Sequence, residues 1–290
     1  MREIEQLLRR RERHPQPGPP PQAANFVLLG NPVGHSLSPL MHNKALQAMQ
    51  IAGSYTAFCV SDLAAAVAGI RGLNIRGASV TIPFKTAVME YLDEIDADAA
   101  AVGAVNTIVN DRGRLTGCNT DWLGFIQALG DKIDVAGKTF VIIGAGGAAR
   151  AAAFGIRKMG GTVIILNRTE AKGKALAREF DGPFYPLTAV GKIKADVLIN
   201  TTSVGMYPNI HQSPVAQAAL AHYETVVDVI YNPLATRLLR DAAAERRRTI
   251  SGLEMFVRQG AAQLKLWTGK DAPLALMRET VRERLAPYEM

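Results

Sequence analysis

The sequence predicts an α/β fold in two domains, each built on a parallel or mostly parallel sheet. Three observations predict it. The chain has 290 residues, too many for one small core and enough for two domains of ordinary size. From Phe26 onward, short apolar strands alternate with amphipathic helices, the pattern that builds parallel sheets. That alternation starts afresh at Lys138–Ile143, so two successive series are present.

Taken in order, residues 1–24 read as an appendage. Ile4, Leu7 and Leu8 could line one face of a short helix, and the basic run Arg9–Arg13 follows. The stretch from His14 to Gln22 is too rich in proline to be helical, so the segment reads as a mobile, basic, Pro-rich tail. In the first series, Phe26–Leu29, Tyr55–Val60, Ala78–Thr81 and Val105–Val109 read as strands. Pro39–Met49, Leu63–Gly72 and Phe84–Leu92 read as helices, and a helix around Asp121–Gly130 marks the domain boundary. In the second series, Lys138–Ile143, Thr162–Leu166, Val197–Ile199 and Thr225–Val229 read as strands with helices between them. A last helical block, Leu253–Trp267, follows Gly252.

Composition narrows the function classes. Hydrophobic residues make up 48% of the chain, as a packed globular protein requires, and no run of 18 apolar residues suggests a membrane span. Residues 1–25 lack the apolar core of a secretory signal, and Glu3, Glu5 and Glu12 with no serine do not suit a transit peptide. The two cysteines, Cys59 and Cys118, lie far apart and form no CxxC, which agrees with a reducing cytoplasm. Cys59 reads as a strand-core residue. The formal net charge is +7, of which residues 1–13 hold +2. No aromatic cluster sits among the basic residues, so steering of anionic small molecules is favoured over nucleic-acid binding. The five histidines form no HxxxH or HExxH, and no metal is expected; His35 and His42 read as capping or packing residues.

The clearest local signal lies in the second series. The strand Thr139–Ile143 runs into Gly144-Ala145-Gly146-Gly147-Ala148-Ala149 and then a helix of small residues, Arg150–Met159. This is GxGxxA in strand–turn–helix context, the start of a doubly wound Rossmann unit that binds a dinucleotide. Gly144 permits the tight turn, Gly146 lets the backbone approach a pyrophosphate, and Ala149 keeps the helix close to the sheet. The free N–H groups at the helix start hold the phosphates. After the next strand come Asn167-Arg168-Thr169 and then Lys172, where an enzyme for the unphosphorylated cofactor would place an acid on the ribose hydroxyl. Arg168 can grip a 2′-phosphate bidentately, and Lys172 adds charge. The predicted cofactor is therefore NADP(H).

The first series carries polar residues where strands end. Ser36 and Ser38 flank the start of the helix that Pro39 opens. They suit a carboxylate ligand, although Ser38 could serve only as the N-cap, with Pro39 at the first helical position. Lys85 stands at the start of a predicted helix, where the dipole does not favour a cation; it is either an exposed lysine or a functional one. Asp121 could be no more than an acid in a first helical turn.

Taken together, GNPVGHSLSPLMHN, SVTIPFK, GAVNT, NTDWLG, GAGGAAR, NRT, NTTSVGM, DVIYNP and GLEMFVRQGAAQLKLWTG resemble the shikimate dehydrogenase family over essentially the whole chain from about Phe26. That resemblance implies NADPH-dependent reduction of 3-dehydroshikimate to shikimate, on the route to aromatic amino acids. It implies Lys85 as general acid/base with Asp121 as its partner, Ser36 and Ser38 at the substrate carboxylate, and Thr81, Asn106, Asp121 and Gln259 at its hydroxyls, with Tyr231 also at the substrate. It implies Gly144, Ala145, Gly146, Gly147 and Ala148 at the cofactor phosphates and Asn167, Arg168, Thr169 and Lys172 at the adenosine phosphate. Thr201, Thr202, Val229, Gly252 and Met255 fall along the cofactor cleft. The last block would then return to the first domain, so that residues 25–124 and 251–290 form the substrate domain and residues 125–250 the NADP domain. A cytoplasmic monomer or homodimer with a small-molecule substrate, and neither nucleic acid nor membrane as partner, completes the expectation.

One departure stands out. Many family members have Asn–Val–Thr–x–Pro where this chain has Ser79-Val80-Thr81-Ile82-Pro83, and serine cannot offer both an amide donor and a carbonyl acceptor. Two rival readings follow: a quinate/shikimate dehydrogenase with relaxed substrate or cofactor choice, and a non-catalytic NADP-binding protein. Asn167-Arg168-Thr169 argues against the NAD use frequent in the first. The presence of both Lys85 and Asp121 argues against the second.

Overall fold

The computed structural model describes residues 23–130 and 132–286, so the expected tail lies almost entirely outside the described residues. The fold is α/β, with two six-stranded sheets in two compact units. One unit runs up to Thr120 and takes in Gln259–Val281; the other comprises Asp121–Arg258 and the described residues from Arg282.

The first unit contains β1 (Ala24–Gly30), α1 (Ser38–Ala48), β2 (Gly53–Cys59), α2 (Leu63–Gly72), β3 (Gly77–Val80), β4 (Glu94–Ile95), α3 (Ala97–Val102), β5 (Thr107–Asp111) and β6 (Arg114–Cys118). Its sheet order is β2-β1-β3-β5-β6-β4. The pairs β1–β2, β1–β3 and β4–β6 are parallel, while β3–β5 and β5–β6 are antiparallel. The antiparallel hairpin turns at Arg112 and Gly113, with φ of 53° and 92°; this two-residue turn with both φ positive matches the strand twist. Asp62 and Asp96 open their helices by accepting the N–H of Ala65 at 2.9 Å and of Ala99 at 2.6 Å. The Trp267 ring stacks on Phe26 at 5.0 Å, and its indole N–H donates to the Ile108 carbonyl at 2.9 Å. That single side chain satisfies its polar atom while closing the core over β1 and β5.

The second unit opens with α4 (Asp121–Gly130) and continues through β7 (Thr139–Ile143), α5 (Gly147–Lys158), β8 (Thr162–Asn167), α6 (Glu170–Glu179), β9 (Phe184–Pro186), β10 (Ala195–Asn200), β11 (Tyr223–Asp228), α7 (Arg237–Ala244) and β12 (Arg248–Ile250). The order β12-β11-β10-β7-β8-β9 is parallel throughout and is the doubly wound Rossmann order. Phe140, Val141 and Ile142 are wholly buried, as a central strand covered on both faces must be. The order reverses between β7 and β10, so a crevice for a ligand is expected outside the carboxyl ends of those strands. The long helix α8 (Leu253–Thr268) and α9 (Leu274–Leu285) end the described chain, and the division between units falls within α8.

Four local expectations need correction. The predicted helix over Phe84–Leu92 is only a 3-10 turn, Ala87–Tyr91, so Lys85 sits in the preceding turn and not at an α-helix start. Ser38 is the first residue of α1, after Leu37, and Pro39 the second; the side chain at the cap position makes no capping bond. The strand predicted at Val105–Val109 begins at Thr107, the Val105 N–H bonding to the Lys85 carbonyl instead of to a neighbouring strand. Cys59 is exposed at the end of the edge strand β2, while Cys118 is buried. Among the described residues no helix is long and apolar enough to cross a membrane, and no group of three or more His, Cys, Asp or Glu could hold a metal ion.

Candidate active site

At the end of β7 the chain turns through Gly144 at φ +120°, a conformation open to glycine and strained for L side chains. A Cβ there would also stand 2.5 Å from the Thr201 hydroxyl oxygen, so the position is restricted twice. Gly146 precedes α5 in extended backbone and is exposed, with nothing within 4 Å of where a Cβ would project. Gly147 and Ala148 form the first turn, whose N–H groups have no acceptor within the helix, and Ala149 is wholly buried. These residues fit a pyrophosphate.

The end of β8 fits a phosphorylated ribose. Asn167 donates from its side-chain amide to the Thr169 carbonyl at 2.8 Å, which shapes the turn into α6. Arg168, Thr169 and Lys172 are exposed, and neither Arg168 nor Lys172 makes an ion pair among the described residues. The one acid in this turn, Glu170, is paired with Lys174 at 2.6 Å. Two cations without a carboxylate partner beside a helix N-terminus suit a dianionic group.

The carboxyl ends of β10 and β11 are joined by a buried network. Thr201 donates its hydroxyl to the Ile143 carbonyl at 2.6 Å, and Thr202 donates its own to the Asn200 side-chain oxygen at 2.7 Å. The Asn200 amide donates to Asp228 at 3.1 Å. Asp228 also accepts from the Ile230 N–H at 3.0 Å and the Thr236 hydroxyl at 2.8 Å. Burial pushes the Asp228 carboxyl up to about 7, the three hydrogen bonds opposing that shift. Val229 is tied back to the Asn200 carbonyl at 3.1 Å. Gly252 packs so closely that a Cβ would meet the Val229 carbonyl oxygen at 2.1 Å. Tyr231 stacks on Phe256 at 3.9 Å, and Met255 is buried.

In the first unit the predicted ligands for the substrate lie around the ends of β1, β3 and β5. The Ser38 N–H donates to the Ser36 hydroxyl oxygen at 3.2 Å, and the two hydroxyls are themselves 3.2 Å apart. Ser36 thus accepts the N–H of the first helical residue in a short serine turn, which brings the two oxygens together at the helix start. Thr81 continues from β3, its N–H bonded to the Leu29 carbonyl at 2.9 Å, and Lys85 follows half-buried, its carbonyl accepting the Val105 N–H at 2.7 Å. Asn106 is buried, with its side-chain oxygen accepting the Thr120 N–H at 2.7 Å and its amide 3.4 Å from the Gln259 side-chain oxygen. Asp121, the next residue after Thr120, is the first of α4 and is buried. Lys85 and Asp121 thus each stand where a strand or loop passes into a turn or helix.

Three stretches match models of known families: residues 28–108 the shikimate dehydrogenase substrate binding domain, residues 127–233 shikimate/quinate 5-dehydrogenase, and residues 252–282 the shikimate 5′-dehydrogenase C-terminal domain. The shikimate dehydrogenase (NADP(+)) of Moorella thermoacetica is 45% identical over 273 residues, covering 89% of this chain and 92% of its own. The chain belongs to the shikimate dehydrogenase family.

The enzyme of the same name from Methanothermobacter thermautotrophicus is 42% identical over 270 residues, covering 89% and 95%. The crystal structure of the Thermus thermophilus shikimate 5-dehydrogenase with NADP(H) and shikimate has a TM-score of 0.82 at 38% identity, covering 90% of this chain and 99% of that one. Against this family background, the structure gathers the predicted phosphate, ribose and strand-end residues within the second unit, and Ser36, Ser38, Thr81, Lys85, Asn106 and Gln259 within the first.

Sequence reasoning missed the residues that hold these groups in place. Asn200 and Asp228 stand in motifs of the chain without a role of their own, though each is a polar residue that closes a strand directly after an apolar run, Val197–Ile199 and Val226–Val227. Gln263, buried four residues after Gln259 on α8, carried the helical spacing that could have found it. Ser79, in doubt as a ligand, is buried, with its hydroxyl hydrogen-bonded to Tyr55 and Gln263.

Proposed function

We propose that this chain catalyses the reversible reduction of 3-dehydroshikimate to shikimate with NADPH as hydride donor. The observation that carries the reading is a dinucleotide turn followed by a doubly cationic ribose end whose one acid is taken up by Lys174, in a chain matching near full-length relatives named shikimate dehydrogenase (NADP(+)). Gly144–Ala148 and the first turn of α5 would hold the pyrophosphate, Arg168 and Lys172 the 2′-phosphate, and Thr201, Thr202, Val229, Gly252 and Met255 the nicotinamide end. NADPH, when bound, supplies the hydride that reaches the ketone carbon.

The chain's own residues handle binding and the proton. Ser36 and Ser38 present two hydroxyls to the substrate carboxylate. Thr81, Asn106 and Gln259 orient its ring through hydroxyl contacts, with Tyr231 at its edge. As the carbonyl oxygen gains charge, the Lys85 ammonium donates a proton to it, and in the reverse direction the neutral amine takes the proton back. Asp121 orients that ammonium and accepts from a substrate hydroxyl.

A spectrophotometric assay of shikimate and quinate with NADP⁺ and NAD⁺ in all four combinations tests this reading. Shikimate with NADP⁺ is expected to dominate. Faster turnover of quinate, or equal use of NAD⁺, would return the assignment to a quinate/shikimate enzyme, and no turnover in any arm would point to a non-catalytic binding protein.

A further inference from the structure

The first unit holds a buried chain of polar side chains whose hydrogen-bond directions are forced at two points. Tyr55, Ser79, Asn106, Thr107, Thr120 and Gln263 are all buried, with Gln263 only 1% exposed. At one end the Thr120 N–H, a group that can only donate, lies 2.7 Å from Asn106 Oδ1, so the Asn106 amide nitrogen must face the other way. In the middle, Gln263 Nε2 lies 3.2 Å from the Asn106 backbone carbonyl, a group that can only accept. The Gln263 amide orientation is therefore set as well, with Oε1 towards Ser79.

With both amides oriented, the shortest contacts give Tyr55, Ser79 and Thr107 one direction each, while the Thr120 hydroxyl lies 3.2 Å from Thr107 Oγ1 and 3.3 Å from Asn106 Oδ1. Tyr55 donates to Ser79 Oγ at 2.7 Å, and Ser79 donates to Gln263 Oε1 at 2.8 Å. Gln263 Nε2 donates to Thr107 Oγ1 at 3.0 Å, and Thr107 donates to Asn106 Oδ1 at 2.8 Å. All four bonds run the same way and end on Asn106. Asn106 Nδ2, on the opposite side of the amide, donates to the Thr120 hydroxyl at 3.0 Å and to Oε1 of Gln259, itself a proposed substrate ligand, at 3.4 Å.

We infer that Gln263, acting through Thr107, is a positioning residue that adds a second hold on Asn106 Oδ1 beside the Thr120 N–H and so keeps the Asn106 amide placed as a hydrogen-bond donor towards a substrate hydroxyl oxygen. Ser79, where the chain departs from the family pattern, is then a link in this relay and takes no part as a direct ligand. The inference rests on the proposed dehydrogenase reading. It predicts a cost in substrate binding alone, because all the relay residues belong to the first unit and the proposed cofactor ligands to the second.

The test is steady-state kinetics on the full-length parent, Gln263→Met, Thr107→Val and the double variant, with circular dichroism and thermal melts to verify folding. Thr107→Val is close to isosteric, so it probes the relay even if Gln263→Met folds poorly. Each single variant is expected to raise KM for shikimate about tenfold, the worth of one buried hydrogen bond, with kcat changed less than about threefold. KM for NADP⁺ should stay within about twofold of the parent, and the double variant should be no worse than about tenfold, because one relay can be broken only once. An unchanged KM for shikimate in a folded single variant would overturn the inference. So would KM values for shikimate and NADP⁺ that rise together, or singles that multiply to about a hundredfold in the double variant. A parent inactive on shikimate would remove the function and this inference with it, whereas an active parent with indifferent variants removes only the inference.

Discussion

The Asp228 carboxylate accepts the Thr236 hydroxyl at 2.8 Å, tying the end of β11 to the start of α7, whose Leu239 N–H the same hydroxyl oxygen caps at 3.3 Å. Burial raises this carboxyl to about 7, whereas in the unfolded chain it titrates at about 3.9. Between those values the folded chain retains a proton that the unfolded chain has released. Stability from this group is therefore complete below about pH 4 and is lost as pH rises to about 7, by on the order of 4 kcal/mol at most. In Asp228→Asn an amide can still accept from Asn200 and Ile230 and donate to Thr236, while nothing titrates. Urea unfolding between pH 4.5 and 7.5 should show a flatter decline in the variant than in the parent, and identical slopes would contradict the account.

His42 acts with the opposite sign. It is wholly buried, stacked on Tyr55 at 4.2 Å, with its Nδ1 2.9 Å from the Ser38 carbonyl oxygen. Burial lowers its pKa to about 4, against 6.5 when unfolded, and the bond to the Ser38 backbone only partly offsets this. The stability it contributes is present above about pH 6.5 and is lost as pH falls towards 4, by on the order of 3 kcal/mol. His42→Phe keeps the stacking and removes the titration. Its unfolding free energy should fall less than the parent's between pH 6.5 and 4.5.

Lys85→Met removes the ammonium while keeping the aliphatic length. If Lys85 supplies the proton, kcat should fall by about 10²–10⁴, with KM for shikimate changed little. Single-turnover absorbance at 340 nm, with both substrates saturating, reads this directly. A variant that turns over like the parent would remove Lys85 from the chemistry.

Arg168→Ala leaves Lys172 as the remaining cation of the proposed phosphate grip. The preference for NADPH over NADH, measured as the ratio of kcat/KM values, should narrow by about tenfold to a hundredfold, the worth of a bidentate charged pair. Most of the change should fall on NADPH. Equal losses on both cofactors would mean that Arg168 shapes the turn instead of reading the phosphate.

Much of this was legible in the chain because it is local. Thr139–Ile143 is apolar without a break, and Gly144-Ala145-Gly146 follows at once, so strand, turn and helix announce themselves within a dozen residues. The helix Leu63–Gly72 was read with its observed limits, since Asp62 and the apolar spacing mark them. Illegible from local pattern were the antiparallel return of β5 and β6, where the Arg112-Gly113 turn passed unremarked, and the 3-10 turn at Ala87–Tyr91, where apolar spacing imitates an α-helix. Proposed ligands such as Arg168 and Lys85 could be named because motifs and missing acids single them out.

By itself, then, the sequence determined the two α/β series, the dinucleotide turn and the identity of the polar groups at strand ends, because each depends on side-chain period or on backbone freedom over a few residues. Only the tertiary structure decided what those groups hold on to. Asn106 meets Gln263 across 157 residues, and Asn200 meets Asp228 across 28, because neighbouring strands and a returning helix bring them together. The direction of the hydrogen bonds, and the pKa values of Asp228 and His42, follow from burial among particular partners, which no local pattern encodes.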